Sequence, residues 1–370
     1  MRPFAARLAA AASEAERAGA DALLITNPAN ILYLSGFGGS SARLLLTRGR
    51  LYFMTDFRYS RSIADLASAW PGDSQVIEIT GSYDDGLEGL IGRLRPVRLG
   101  FEAGHATVTQ HRAWAARLSG VEFVATDRIV ERARVIKDAG ELATMRDAGR
   151  RVSAIAARLA DWVRSGRRER DIAADVNHAM AHAGFSRPAF DTIVASGPHA
   201  ALPHARPGDR QVARGDLVVV DFGGMLDGYA VDITRTLSVG PAGEREAHLH
   251  AAVLEAQAAA VSVLRPGARV QDIDSAARAA LDRHGYGGAA RHAVGHGLGL
   301  DVHEEPRLSR DAPAGTPPMA AGMVVTIEPG AYLDDGPGMA TGVRIEDDLL
   351  VGEERPEWLT SAPRELIATD

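Results

Sequence analysis

The stretch from Asp216 to Asp232, DLVVVDFGGMLDGYAVD, constrains this chain more than any other. Leu217 to Val220 is a run of branched apolar residues, the pattern of a strand buried on both faces. It leads directly into a carboxylate, Asp221. The Gly223-Gly224 pair and Asp227-Gly228 read as turn signals, after which Tyr229, Ala230 and Val231 lead back to Asp232. Two acids eleven positions apart on the arms of one hairpin can stand side by side. Buried carboxylates without a counter-charge are costly. Basic side chains or metal must therefore sit between them.

The rest of the chain narrows the setting. At 370 residues it exceeds a single core, so two domains are expected. A net charge of -7 offers no basic field to a nucleic acid. The absence of cysteine excludes disulfides, zinc–thiolate sites and cysteine nucleophiles. The opening MRPFAARLAAAASEAERAGA is Ala-rich but carries Arg7, Glu14, Glu16 and Arg17, and reads as a surface helix rather than a signal peptide. No apolar stretch reaches membrane-spanning length. The expectation is a soluble cytoplasmic protein with neither nucleic acid nor membrane as partner.

Residues 1–134 read as a small α/β domain. A helix to about Ala18 leads into a strand, Ala22 to Thr26, and Asn27-Pro28 punctuates before NILYLSGF. Strands are expected at Ala42 to Thr47 and Leu51 to Thr55, with Arg48-Gly49 as the turn. A helix from Asp56 to Trp70, a strand from Gln75 to Ile79, a helix from Asp84 to Leu94 and a strand from Val97 to Phe101 follow. Such alternation predicts a mixed or parallel sheet covered by helices. It contains no phosphate-binding glycine loop, and Asp56 and Arg58 read as structural. The boundary is placed near Arg134, with 135–370 as the second domain and a helix from about Asp138.

The second domain echoes itself. SGRRERDIAADVNHAMAHAGF (165–185) aligns with PGARVQDIDSAARAALDRHGY (266–286) at a constant separation of 101 residues. Gly166 meets Gly267, Asp171-Ile172 meets Asp272-Ile273, and Gly184-Phe185 meets Gly285-Tyr286. Apolar residues recur at helical spacing in both copies, Ile172, Val176, Met180 and Ile273, Ala277, Leu281. Downstream, Gly215, Asp221 and Gly223 are echoed by Gly322, Glu328 and Gly330. Two similar halves are expected, each ending a strand on a carboxylate.

Chemistry concentrates in four places: the Asp221/Asp232 hairpin, RHAVGHGLGLDVHEEPR (291–307) with His292, His296 and His303, VVTIEPG with Glu328, and GVRIEDD with Glu346. Singly, each has an ordinary structural reading as a turn, an ion pair or a packed histidine. Together they offer four carboxylates and at least one imidazole, with no sulfur. That donor set suits Mn²⁺, with Co²⁺, Fe²⁺ or Zn²⁺ also possible. Four carboxylates exceed what one divalent ion needs. A pair of ions about 3.5 Å apart would balance them and generate a hydroxide nucleophile at neutral pH. The GHGLG run has the wrong spacing for a dinucleotide loop, and HExxH is absent.

These motifs, Asp-x10-Asp, GHGLGLDVHE, EPG and RIED in that order, together with NILYLSGF and TDFRY near the N-terminus, resemble the pita-bread metallopeptidases of the aminopeptidase P and prolidase branch. The resemblance covers the whole chain. It implies an α/β (α+β) fold: a creatinase-like N-terminal α/β domain, then a pita-bread catalytic domain with an internal pseudo-two-fold duplication. It implies Asp221, Asp232, His296, Glu328 and Glu346 as ligands of two divalent metal ions. His204 falls on the family's mobile histidine, and His303 on the one that meets the substrate carbonyl or tetrahedral intermediate. His292 lines the proline pocket, Arg307 meets a free substrate carboxylate, Tyr332 lies near the site, and Arg344 supports Glu346.

The chemistry so implied is attack of a metal-bridging hydroxide on the carbonyl before proline, with Glu328 as general base and then acid. His303 and His204 stabilise the oxyanion. The substrates are short proline-containing peptides, and the family suggests a homodimer. Aminopeptidase P and dipeptidase activities stay open, Arg307 leaning towards the dipeptide because a guanidinium suits a terminal carboxylate. A dipeptidase without proline preference is an alternative. So is a non-catalytic pita-bread scaffold or metal-free creatinase chemistry, although every ligand position is intact.

Overall fold

The computed structural model describes residues 4–48, 50–334, 336 and 339–370, and they form two compact units, Met1–Arg134 and Val135–Asp370. In the first, α1 (Phe4–Arg17), β1 (Ala22–Ile25), α2 (Pro28–Ser35), β2 (Arg43–Thr47), β3 (Arg50–Asp56), α3 (Ser60–Ala67), β4 (Gln75–Ile79), α4 (Tyr83–Leu94), β5 (Arg98–Glu102), α5 (Val108–Arg117), β6 (Glu122–Thr126) and α6 (Ile129–Arg134) follow in order. The sheet runs β4-β3-β2-β1-β5-β6 and is mixed, with parallel β1–β5 and antiparallel β1–β2.

The segment NILYLSGF, given no element above, runs through a helix: α2 holds its residues up to Ser35 and ends at Gly36, and is capped by the Asn27 side chain on Ala29 N–H with Pro28 in its first turn. The helix expected from Asp56 is shorter: Asp56 ends β3 and pairs with Arg58 at 2.7 Å, so the chain turns before α3 begins. Gly49, half of the expected Arg48-Gly49 turn, lies outside the described residues.

The second unit opens with α7 (Ala139–Ala156), α8 (Leu159–Trp162) and α9 (Glu169–His182). Then come β7 (Arg187–Pro188), β8 (Ile193–Ser196), a 3₁₀ turn at Gly197–Ala201, β9 (Leu217–Leu226) and β10 (Tyr229–Val239). The second half adds α10 (Glu244–Val263), α11 (Val270–Arg283), β11 (Gly295–Gly297), β12 (Glu304–Leu308), β13 (Val324–Ile327), β14 (Gly330–Leu333), β15 (Thr341–Arg344), β16 (Asp347–Leu350), β17 (Glu357–Trp358) and β18 (Ile367–Thr369). One sheet runs β18-β10-β9-β7 with β8 also on β9; another runs β12-β11-β13-β16-β17; β14 and β15 form a ribbon. Among the described residues no helix is long and apolar enough to cross a membrane.

The duplication is structural. Helices α9 and α11 are both 14 residues long and start 101 positions apart. Each is followed by a glycine at positive φ, Gly184 at 91° and Gly285 at 81°, where a side chain would be strained. Gly166 and Gly267 donate to Val212 and Met319 carbonyls in matching turns. The hairpins match in register too: Leu237 faces Val218 as Leu349 faces Val325, and Asp232 faces Gly223 as Arg344 faces Gly330. In the first half the hairpin is continuous. In the second it breaks at Pro329, which has no N–H to give to the ladder.

All ten residues of β9 are buried, as the apolar run predicts. One core packs Val218, Val220, Phe222, Ile233 and Leu237 with Val152, Ile172 and Val176 of the helices. The other packs Val325, Ile327 and Leu349 with Leu249, Val253, Ile273 and Leu281. Each such side chain contributes about 1.5–3 kcal/mol on burial, before the entropy of ordering it. Gly223-Gly224 is not a turn. Both residues lie inside β9, where a Cβ on Gly223 would sit 2.1 Å from Val231 O and one on Gly224 2.6 Å from the Phe185 ring. The turn is Asp227-Gly228, with φ of 48° and 88°, as a two-residue hairpin loop demands.

Candidate active site

The hairpin register fixes the first two acids. Asp221 lies opposite Thr234 and Asp232 opposite Gly223, so both acids share one face of the ribbon and sit diagonally across it. The matching strand of the second half carries Glu328 just beyond β13, and Glu346 bridges to Thr234 just before β16. β11 brings in His296 from the side. Asp232, His296 and Glu346 each offer a donor atom within 4.8 Å of the others. Glu328 Oε1 lies 3.5 Å from His296 Nε2, and Asp221 is held by Arg344 at 2.5 Å.

The electrostatics are those of an under-compensated acid cluster. Asp221, Asp232 and Glu346 are buried, and the guanidinium that touches the group is that of Arg344. Burial, then repulsion from Glu346 and Asp221, raises the Asp232 carboxyl well above its usual range. Burial, then Glu328 and Asp221, does the same to Glu346. Burial pushes Glu328 up to about 7 against the opposing pull of Arg344. Among the described residues, Asp221 Oδ1 and Asp232 Oδ1 are buried with no hydrogen-bond partner. Such atoms cost free energy unless a cation satisfies them.

The histidines complete a donor set for a divalent metal. His296 Nδ1 lies 2.9 Å from Gly297 O, so this nitrogen carries the proton and Nε2 presents its lone pair to the acids. Burial lowers the His296 pKa to about 4, which keeps the ring neutral and able to ligate. Unpaired buried carboxylate oxygens beside a neutral imidazole fit a hard to borderline divalent ion.

Around this centre the remaining expected residues divide into two groups. His303 is exposed, its ring 4.4 Å from that of His296, and Arg307 is exposed on β12 opposite His296. His204 is exposed on the loop after the 3₁₀ turn and near enough that its charge lowers the pKa of His303, after burial. These face open space. Tyr332, expected near the site, and Arg344, expected to support Glu346, are buried. His292 donates from Nδ1 to Ala293 O at 2.8 Å, and its Nε2 accepts from the Tyr332 hydroxyl at 2.8 Å. That hydroxyl accepts from Arg344 Nη1 at 2.8 Å. Burial pushes the Tyr332 hydroxyl up to about 12 and the His292 imidazole down to about 4. Arg344 thus links His292 to Asp221 and reaches Glu346 through Thr234, whose Oγ1 donates to Glu346 Oε2 at 2.6 Å.

Some supporting residues were not singled out in the sequence. Asp348 accepts the Asp232 backbone N–H at 3.0 Å, and Arg235 grips Asp347 at 2.8 Å. The signal was there in RIEDDLL, where the last acid of the motif, Asp347, and one more, Asp348, enter a buried strand.

Comparison with known proteins agrees. The model for metallopeptidase family M24 matches residues 143–353, and that for the creatinase/prolidase N-terminal domain matches 7–136. The chain is 40% identical over 247 residues to the Xaa-Pro dipeptidase of Pyrococcus furiosus, covering 66% of this chain and 69% of that one. Among solved structures, it is similar to the Xaa-Pro dipeptidase from Bacillus anthracis with a TM-score of 0.93 at 32% identity, over 99% of each chain. The X-Pro aminopeptidase from Thermotoga maritima MSB8 is similar with a TM-score of 0.86 at 33% identity, over 96% of this chain and 99% of that one. An acid cluster with unpaired oxygens, a neutral imidazole at its edge and a duplicated scaffold around both are thus features of a metallopeptidase, and the chain belongs to family M24, the pita-bread peptidases, with a creatinase/prolidase-type N-terminal domain.

Proposed function

We propose that this metallopeptidase is an Xaa-Pro dipeptidase, hydrolysing the bond between an N-terminal residue and a following proline. The observation that carries the reading is the convergence of Asp232, His296 and Glu346 beside buried, unpaired carboxylate oxygens. Proline specificity is supported by the Xaa-Pro dipeptidases among the relatives. Asp221, Asp232, His296, Glu328 and Glu346 would hold two divalent ions, with Mn²⁺ the leading choice. When bound, such ions supply a water-derived nucleophile at neutral pH and polarise the carbonyl.

The protein's own groups do the rest. Glu328 shuttles a proton, first as base towards water and then as acid towards the leaving proline nitrogen. His303 and His204 donate to the carbonyl oxygen as charge develops on it. The acid cluster receives the free amine of the substrate, which restricts cleavage to N-terminal residues. His292, held neutral, offers a ring surface to the proline. Arg307, exposed across β12 from His296, pairs with the carboxylate that a dipeptide carries at its second residue.

An aminopeptidase accepting longer Xaa-Pro peptides is the second reading, favoured by the similarity to the Thermotoga enzyme. Assays of Ala-Pro, Ala-Pro-Ala and Ala-Ala with added Mn²⁺ separate them. Hydrolysis of Ala-Pro alone is expected. Release of Ala from Ala-Pro-Ala at a comparable rate would make it an aminopeptidase. Comparable turnover of Ala-Ala would defeat the proline claim.

A further inference from the structure

A polar network in the first half of the catalytic unit is not used by this chemistry. Glu169 opens α9 and is fully buried. Its Oε1 accepts from Ser196 N–H at 2.8 Å and from the Ser196 hydroxyl at 2.7 Å. His199 Nδ1 lies 3.0 and 3.1 Å from the two carboxylate oxygens, and Gly208 N–H donates to Oε2 at 3.2 Å. Arg210 donates to Ser196 Oγ at 2.6 Å and grips Asp216 at 2.6 and 3.0 Å. Ser196 and Gly208 are the two roots of the loop that carries His204. Midway, Arg344 Nη1 donates to Pro203 O at 3.1 Å. Among the described residues His204 itself makes no hydrogen bond.

The duplication supplies a control. At the 101-residue separation, Glu169, Ser196 and His199 correspond to Val270, Gly297 and Leu300. At the 107-residue separation of the following strands, Arg210 and Asp216 correspond to Pro317 and Met323. Val270, Leu300 and Met323 are buried. At these positions the second half carries apolar groups, so a carboxylate at the Glu169 position itself is not needed to fold the scaffold; the buried carboxylate of α11 is Asp274, further along the helix, which accepts from Val294 N–H at 3.1 Å and Arg310 N–H at 3.0 Å. Burying one is costly unless every oxygen is satisfied.

We infer that Glu169 is a positioning residue for His204: it clamps both roots of the 196–208 loop, so that a side chain with no bond of its own is still presented to the substrate at one height. This rests on the reading of His204 as a group that meets the substrate.

Glu169→Gln tests it, because the amide places N–H groups where the carboxylate accepted from Ser196, His199 or Gly208. Expected are a kcat on Ala-Pro lowered roughly tenfold, the effect of a sub-ångström misplacement, with KM and metal content unchanged. Amide hydrogen exchange across 197–208 should be faster than in the wild type. In a His204→Ala background the same change should cost less than about twofold, because the residue being positioned is gone. A full tenfold loss in that background, or unaltered exchange, would overturn the inference. Should Glu169→Gln fold poorly, His199→Ala removes one donor to the same carboxylate and must show the same non-additivity with His204→Ala. A wild type inactive on every Xaa-Pro peptide would sink the proposed function separately, before any variant is made.

Discussion

The two halves of the catalytic unit share a backbone and differ in where they put charge. Asp221 in β9 and Glu328 just beyond β13 stand at matching points of the two hairpins, an acid in each. One step further round the hairpins the match reverses: Asp232 faces Gly223 in one half, and Arg344 faces Gly330 in the other. The second-half cation then crosses to hold the first-half acid, Asp221. Arg235 and Asp347 occupy matching register positions too, and bond to each other. Duplication thus produced a symmetric frame, and charge reversal at a few positions turned its seam into a site. A fully symmetric pair of acidic hairpins would have more repulsion and no guanidinium to hold the cluster together.

The largest effect expected of breaking this asymmetry is at Asp232. Asp232→Asn should lose bound metal and roughly a thousandfold in kcat/KM on Ala-Pro, the several kcal/mol that metal polarisation supplies. Elemental analysis and kinetics check both; a variant with full metal content and near-normal turnover would remove Asp232 from the ligand set. Next is His204, on a loop anchored through Glu169, where the other half carries Val270. His204→Ala should keep its metal while turnover falls roughly a hundredfold, and a metal-free variant would instead make it a ligand.

The smallest effect concerns acid stability, and belongs to the second half alone. His250 on α10 is buried, with Nε2 lacking a partner among the described residues, and burial lowers its pKa to about 4. Helix α7 of the first half buries no imidazole. Below its ordinary pKa the unfolded chain takes up a proton that the folded chain refuses. Stability attributable to His250 is therefore intact above about pH 6.5 and lost as the pH falls towards 4, at up to about 1.4 kcal/mol per pH unit. Denaturant titrations at pH 7 and pH 5 should show a smaller drop for His250→Gln than for the wild type. An equal drop would place the acid-labile group elsewhere.

Sequence reading reached the cluster because an apolar run that ends on an acid is conspicuous in one dimension. It reached the duplication through glycines, which recur because the same backbone angles recur. It did not reach the Asp232–Arg344 correspondence, since charge reversal erases identity while register preserves position. The Glu169 network was hidden for another reason: its partners lie 27 to 39 residues away, and only the fold brings them together. Gly223-Gly224 was misread because a glycine marks either a turn or a close approach, and the neighbours that decide, Val231 O and the Phe185 ring, are set by packing. Helix α2 was missed because a helix buried on most sides has no amphipathic stripe to display, although its Asn-Pro start was legible.

The unbroken pairing of β9 with β10, from Tyr229 opposite Leu226 to Ser238 opposite Leu217, has a consequence for what changes the chain can absorb. Successive side chains point to opposite faces, so one residue gained or lost within the paired stretches from Asp221 to Leu226 or from Tyr229 to Asp232 would send one of the two acids to the far side of the ribbon. Substitution here is graded, each replacement costing what its own contacts are worth. Length is all-or-none. The spacing of the two acids is counted in residues rather than measured in ångströms, and within these strands a changed letter is a local event whereas a changed number is not.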